Sequence, residues 1–214
     1  MEDKIVLRNV TKQIKGKTVL KHVDLELDAG EVYGFFGRNG SGKTMLLRAI
    51  AGLIKVRGKI IVFGKDLTKD AAFPEKLGLL IEKTELWPQY SAMENLELLA
   101  QIRNEIGEEE MQTALERVGL DPEDKRPIRT YSMGMKQKLA LAQAIMENPR
   151  LLLLDEPTNG LDDDAVELFQ KIILQEKERG CTILIATHQK EDISGLCSRS
   201  FRMSEGTCRE VDNL

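Results

Sequence analysis

Two stretches of this sequence carry residue types at spacings suited to phosphate chemistry. The first is Gly37-Arg38-Asn39-Gly40-Ser41-Gly42-Lys43-Thr44, which fits the phosphate-loop pattern and stands between a β-like apolar run and a helical one. Its glycines let successive backbone N–H groups converge on phosphate oxygens, and the dipole of the following helix adds positive potential. Lys43 then reaches the β- and γ-phosphates of a nucleotide, and the Thr44 hydroxyl offers a ligand to Mg²⁺. A glycine-rich turn that happens to precede a helix is the competing reading, and the full eight-residue match in context argues against it. The second stretch is LLLLDE at 151–156. It reads as an apolar strand that carries Asp155 to its end, where the carboxylate can bind Mg²⁺ directly or through water. Glu156 follows, placed to polarise an attacking water. Alone, this run would be a core strand meeting a polar turn; beside a phosphate loop it supplies the other half of a hydrolytic centre.

A further segment, YSMGMKQK at 131–138, places a hydroxyl and a glycine ahead of a helix over 135–148, with Leu139, Ala142 and Ile145 on one face and Pro149 beyond its end. Ser132 reads either as the N-cap of that helix or as part of an anion site made with unpaired helix N–H groups. Two anion sites around one hydrolytic centre make sense if the second serves a nucleotide held by another molecule.

These residues need a scaffold, and the pattern supplies one. Ile5–Leu7, Val23–Leu27 and Val32–Phe36 read as an antiparallel β layer leading into a buried strand. Gly42 to Leu53 places Met45, Leu46, Ala49, Ile50 and Leu53 on one helical face. Ser91-Ala-Met-Glu94 has capping-box form and opens a helix through ENLELLAQIRN, and a second helix is expected over Glu108–Val118, ending near Gly119. Alternation then returns, with a strand at Leu151–Leu154, a helix at Asp163–Arg179 and a strand at Thr182–Ala186. The expected fold class is α/β: a phosphate-loop nucleotide-hydrolase core, an antiparallel β subdomain, and an α-helical subdomain over about 84–148 inserted in a single domain spanning 1–214.

Composition bounds the rest. The chain has 214 residues, 42% hydrophobic and 31% charged, as in ordinary globular proteins, and its formal charge of −4 gives no electrostatic reason to expect nucleic acid as a partner. No apolar run approaches the ~20 residues of a membrane-spanning helix. The opening MEDKIVLRNV lacks a signal-peptide pattern, and Cys181, Cys197 and Cys208 lack metal-ligand spacing, so a cytoplasmic chain with packed thiols is expected.

Taken in order, the motifs resemble those of nucleotide-binding subunits of ATP-binding cassette (ABC) transporters, over essentially the whole chain. GRNGSGKT resembles that family's Walker A motif, LLLLDE its Walker B motif, and YSMGMKQK its signature, usually LSGGQ followed by a basic helix. Asn159-Gly-Leu-Asp162 resembles the D-loop, and His188 in IATHQ the switch histidine. The resemblance implies an ATPase with ATP and Mg²⁺ as ligands, Glu156, His188 and Lys43 as catalytic residues, and Thr44 and Asp155 at the metal. It implies that Ser132, Met133, Gly134 and Met135 complete a partner subunit's site in a homodimer or heterodimer. It also implies a transmembrane permease on a separate chain and a peripheral position on the cytoplasmic face of the membrane. His188 also reads as a plain surface or packing residue after a strand. Asp162 reads either as a helix N-cap or as a coupling residue across the dimer; His22 has no such context and reads as structural.

The sequence departs from the family pattern in places. Ile14 occupies the position where an aromatic residue usually stacks on adenine, so it either covers the base by dispersion or packs in the core. Glu82 stands at the glutamine of the Q-loop, either near Mg²⁺ or as a solvated side chain; ionised, it cannot donate a hydrogen bond. Met133 replaces a glycine and lacks glycine's freedom at positive φ. Together, the IE dipeptide at 81–82 and YSMGMKQK resemble the subgroup that exports bacteriocin-type and other antimicrobial peptides. The stretch Glu82–Asn95, with Trp87, Pro88, Tyr90 and Glu94, is expected to dock the permease, or else to form a hydrophobic cap under a loop. The competing functions are a non-transport ABC ATPase acting on ribosomes or DNA, and a phosphotransferase. The first lacks its usual tandem cassettes, coiled-coil insertions or basic extensions here, and the second sits poorly with an adjacent Asp–Glu pair followed by a distal histidine.

Overall fold

The computed structural model describes residues 3–70, 73–81, 86–193 and 195–211. Strands β1 (Lys4–Ile14) and β2 (Lys17–Asp28) form a hairpin whose two-residue turn, Lys15-Gly16, has positive φ at both positions, the geometry that matches strand twist. β3 (Val32–Phe36) then enters the interior and runs through the phosphate loop into helix α1 (Lys43–Ile50). β4 (Arg57–Val62), β5 (Lys65–Asp66) and the short α2 (Leu67–Asp70) follow, then β6 (Leu77–Leu80). Helices α3 (Ala92–Arg103), α4 (Glu108–Arg117) and α5 (Met133–Ile145) lie between β6 and β7 (Leu151–Asp155). The chain continues with α6 (Asp163–Glu178), β8 (Thr182–Thr187), β9 (Arg199–Ser204) and β10 (Thr207–Val211).

The strands make an antiparallel sheet of order β2-β1-β4-β5 and a second sheet of order β10-β9-β3-β8-β7-β6, parallel except for the β9–β10 hairpin. Period-two alternation along the central strands divides two cores. Tyr33, Phe35, Leu151, Leu153, Leu184 and Ala186 face α1 and the antiparallel sheet. Their alternates Val32, Phe36, Leu152, Leu154, Ile183 and Ile185 face the helices α3 to α6. That burial on both faces is why β7 is an unbroken apolar run up to Asp155.

Several boundaries follow from caps. Ser91 and Glu94 form the expected capping box: the Glu94 backbone N–H donates to Ser91 Oγ at 3.3 Å and the Ser91 N–H to Glu94 Oε2 at 2.7 Å. Helix α1 ends earlier than the periodicity suggested, and Leu53 is 47% exposed rather than on the buried face. The cause is Gly52, at φ +77, which closes the helix: Gly52 N–H donates to Ala49 O and Leu53 N–H to Arg48 O, so Leu53 lies past the cap. Helix α5 starts at Met133, two residues before the expected point, because Ser132 is its N-cap and accepts from Met135 N–H at 3.2 Å. Met133 therefore has a helical backbone, and the lost freedom at positive φ does not bear on it. The sequence reading did not anticipate β4–β6 or the β9–β10 hairpin.

Candidate functional site

The phosphate loop is held by contacts that leave no space for side chains at its ends. A Cβ on Gly37 would lie 2.4 Å from Met203 O, and one on Gly42, at φ +109, would lie 2.7 Å from Val19 O. The β9–β10 turn closes the wedge, with Gly206 N–H donating to Ser41 O at 2.9 Å and Lys21 N–H to Gly206 O at 2.8 Å. The loop is thus built between β2 and the β9–β10 hairpin and aimed into an open cleft of about 1150 Å³. Arg38 to Thr44, Asp155 and Glu156 all line that cleft.

Lys43 is 5% exposed; its Nζ donates to Gly37 O at 2.7 Å and lies 3.4 Å from Glu156 Oε1. Thr44 Oγ1 donates to Asp155 Oδ2 at 2.6 Å, bringing together two residues 111 positions apart in the chain. Glu156, next in sequence, sits at φ +49, in the left-handed region, and its N–H donates to Ala186 O at 2.7 Å. That geometry turns its carboxylate toward the end of β8. There Glu156 Oε2 accepts from Thr187 Oγ1 at 3.0 Å and from His188 N–H at 3.2 Å, and meets His188 Nδ1 at 2.8 Å. A strained backbone that aims a functional group is a recurrent feature of active sites.

A nucleotide fits this cradle on observations of the chain itself. The Ser41 hydroxyl is buried inside the loop without a hydrogen-bond partner among the described residues. The Thr44–Asp155 pair offers one hydroxyl and one carboxylate, and among the described residues no cluster of three or more metal-ligating side chains exists. Mg²⁺ suits such a sparse donor set, since it retains waters and takes further oxygens from the substrate's phosphates.

The remaining expected residues lie where the fold puts them, with mixed outcomes. Ser132 and Met133 are exposed at the start of α5, and Met133 lines the same cleft as the phosphate loop. Gly134 approaches the loop after β7, where an added Cβ would lie 3.1 Å from Gly160 O. Asp162 caps α6, accepting from Ala165 N–H at 2.9 Å. Ile14 is 40% exposed at the hairpin end of β1, which rules out the core-packing alternative; Lys17, Thr18 and Val19 line the cleft on that side. Glu82 lies outside the described residues. His22 is at the surface, with Nδ1 2.6 Å from Asn9 Oδ1.

Tyr131, before the α5 cap, is buried, and its phenol is pushed up to about 12 by desolvation and by neighbouring Asp124. Arg126 holds the Asp124 carboxyl down at about 2. Trp87 (39% exposed), Pro88 and Tyr90 are exposed. Beneath them the fully buried Asn95 accepts from Trp87 N–H at 2.8 Å and donates to Trp87 O and Ser91 O. Glu94 is committed to the capping box, so reversing its charge would unpick a helix start as well as any docking contact.

Sequence reasoning missed Gln137, whose side chain reaches the backbone of Glu156 and Pro157, and the Ser204–Gly206 turn that lines the cleft. The glycine in SEGT marked the turn; nothing in the helix pattern singled out Gln137.

Comparison with known proteins identifies the family and the fold. Residues 20–159 match the family described as ABC transporter. An ABC transporter ATP-binding protein of Bacillus subtilis, YybJ, is 46% identical over 94% of this chain and 93% of its own length. The lantibiotic transport ATP-binding protein SrtF of Streptococcus pyogenes is 34% identical over 89% of this chain and 82% of its own. The bacitracin transport ATP-binding protein BcrA of Enterococcus faecalis is 35% identical over all of this chain and 70% of its own. The fold is shared with the dimeric structure of MJ0796, a bacterial ABC transporter cassette, at a TM-score of 0.87 and 24% identity, over 98% of this chain and 100% of that one.

Proposed function

This chain belongs to the ABC transporter family as an ATP-binding ATPase, and from that premise we propose that it drives a separate membrane-spanning permease by closing and reopening as a dimer around ATP. The observation that carries the reading is the convergence of Lys43, the Thr44–Asp155 pair and Glu156 on one cleft below the phosphate loop. The loop's N–H groups and Lys43 bind the phosphates of ATP. Thr44 and Asp155 are the residues that would hold Mg²⁺, which supplies charge neutralisation at the β- and γ-oxygens. Glu156 orients the attacking water and takes its proton, while Thr187 and His188 fix one of its carboxylate oxygens. In this reading Ser132 and Gly134 face the nucleotide of the opposite subunit, Asp162 couples the two sites, and Ile14 borders the adenine.

No helix among the described residues is long and apolar enough to cross a membrane. The permease is proposed as another chain, met on the cytoplasmic face through the exposed Trp87–Tyr90 surface, with helices α3 to α5 relaying motion. Similarity to lantibiotic and bacitracin transport ATP-binding proteins supports an antimicrobial peptide as cargo, moved outward.

Two variants test the dimer. In a Glu156→Gln background, which should bind ATP without turning it over, ATP should drive dimerisation measured by light scattering. Adding Ser132→Arg should spare ATP binding yet leave monomers; an undiminished dimer would refute the trans role. Trp87→Ala should lower transport and leave basal hydrolysis intact; equal loss of both would remove the docking role.

A further inference from the structure

We infer that Gln137 is a positioning residue for hydrolysis, which latches the helix bearing Ser132 and Gly134 onto the backbone that carries Glu156 in the same chain. The inference rests on the reading of Glu156 as the catalytic carboxylate. Gln137 Nε2 donates to Pro157 O at 2.9 Å and to Glu156 O at 3.3 Å. Met133, Gly134 and Gln137 lie at helical spacing that brings them to one face of α5, and all three meet the segment 156–160. Gly134 packs closely on Gly160 O, since an added Cβ would lie 3.1 Å from it, tighter than ordinary contact. Conversely, a Cβ on Gly160 would lie 3.0 Å from both Cγ and Sδ of Met133.

The latch matters because of the backbone it holds. Glu156 sits at φ +49, a conformation that a residue with a side chain keeps only when its surroundings over-determine it. Its N–H is fixed by Ala186 O on the β8 side. Its carbonyl and that of Pro157 are fixed by Gln137 on the α5 side. The carboxylate aimed at Thr187 and His188 is thus braced from two elements, one of which presents the exposed Ser132. A force on the head of α5 bears directly on the Glu156 turn.

The experiment compares steady-state ATP turnover of wild type, Gln137→Met, Gln137→Lys and Glu156→Gln, with melting temperatures for each. Methionine matches the shape of glutamine but has no donor; lysine restores an N–H donor of similar reach. Gln137→Met should lower kcat by about tenfold to a hundredfold with KM for ATP and melting temperature close to wild type, since a small misplacement of a catalytic group is costly in rate. Gln137→Lys should recover most of that loss. Full turnover in Gln137→Met beside an inactive Glu156→Gln overturns the latch and leaves the catalytic reading standing. Joint loss of kcat, KM and melting temperature without rescue by lysine overturns it as well, reducing Gln137 to packing. Wild-type turnover in Glu156→Gln would instead overturn the reading on which the latch depends.

Discussion

Alanine at Gly37 and at Gly40 should damage the phosphate loop for different reasons and to different degrees. At Gly37 the added methyl would sit 2.4 Å from Met203 O and 2.6 Å from Ser41 Oγ. Met203 O is strand backbone on β9, the neighbour of β3 in the central sheet, so it cannot swing aside as a side chain would. Overpacking of this kind costs about 3 kcal/mol. At Gly40 no atom lies within 4 Å of the new methyl, and only φ +77 opposes it. Left-handed backbone in alanine costs about 1 kcal/mol. For a chain of this size each kcal/mol moves the melting temperature by about 2–4 °C, so Gly37→Ala should fall by about 6–12 °C and Gly40→Ala by about 2–4 °C. Thermal unfolding followed by circular dichroism without nucleotide measures both. Equal losses, or a larger loss at Gly40, would refute the argument that the β9–β10 hairpin wedges the loop.

Asp155→Asn should raise the Mg²⁺ concentration needed for half-maximal ATP turnover by about 10–100-fold, in line with losing a metal-binding carboxylate. An unchanged Mg²⁺ titration would remove Asp155 from the metal site. Asn95→Ala deletes a buried side chain with three hydrogen bonds and should cost about 2–3 kcal/mol in urea unfolding; a negligible cost would deny its clamping of the Trp87 loop. The thiols of Cys181, Cys197 and Cys208 are each pushed up to about 12 by burial. A raised thiol stays neutral at pH 8, so native labelling by a thiolate-selective reagent should lag far behind labelling in denaturant and quicken only as pH climbs toward 12. Prompt native labelling at pH 8 would contradict that burial.

The site was more legible in the sequence than the scaffold that supports it. A phosphate loop is local, and its glycines, lysine and threonine are fixed by consecutive residues, so GRNGSGKT could be read alone. The apolar run Leu151–Leu154 announced a strand buried on both faces and placed Asp155 at its end. Caps were equally local: Ser91 with Glu94, Ser132 and Asp162 are all found at helix starts. What escaped was non-local. The β9–β10 hairpin supports the phosphate loop from the far end of the chain, and no periodicity reports that contact. Leu53 satisfied the helical repeat but fell past the Gly52 cap, where turn geometry overrides the period. The strain judged against Met133 assumed a loop conformation, whereas the Ser132 cap had already begun the helix. Gln137 looked like one more polar residue on a basic helix until the backbone of Glu156 and Pro157 was seen beneath it.

The central claim is that this ATPase energises a membrane permease carried on another chain. It is tested most directly by isolating Glu156→Gln from native membranes in ATP and Mg²⁺ and identifying what accompanies it. A stoichiometric protein with several membrane-spanning segments, retained with ATP and released when Lys43→Ala is introduced, is the predicted result. Recovery of ribosomes or other soluble assemblies alone would contradict the transport role while leaving the phosphate-binding cleft as described.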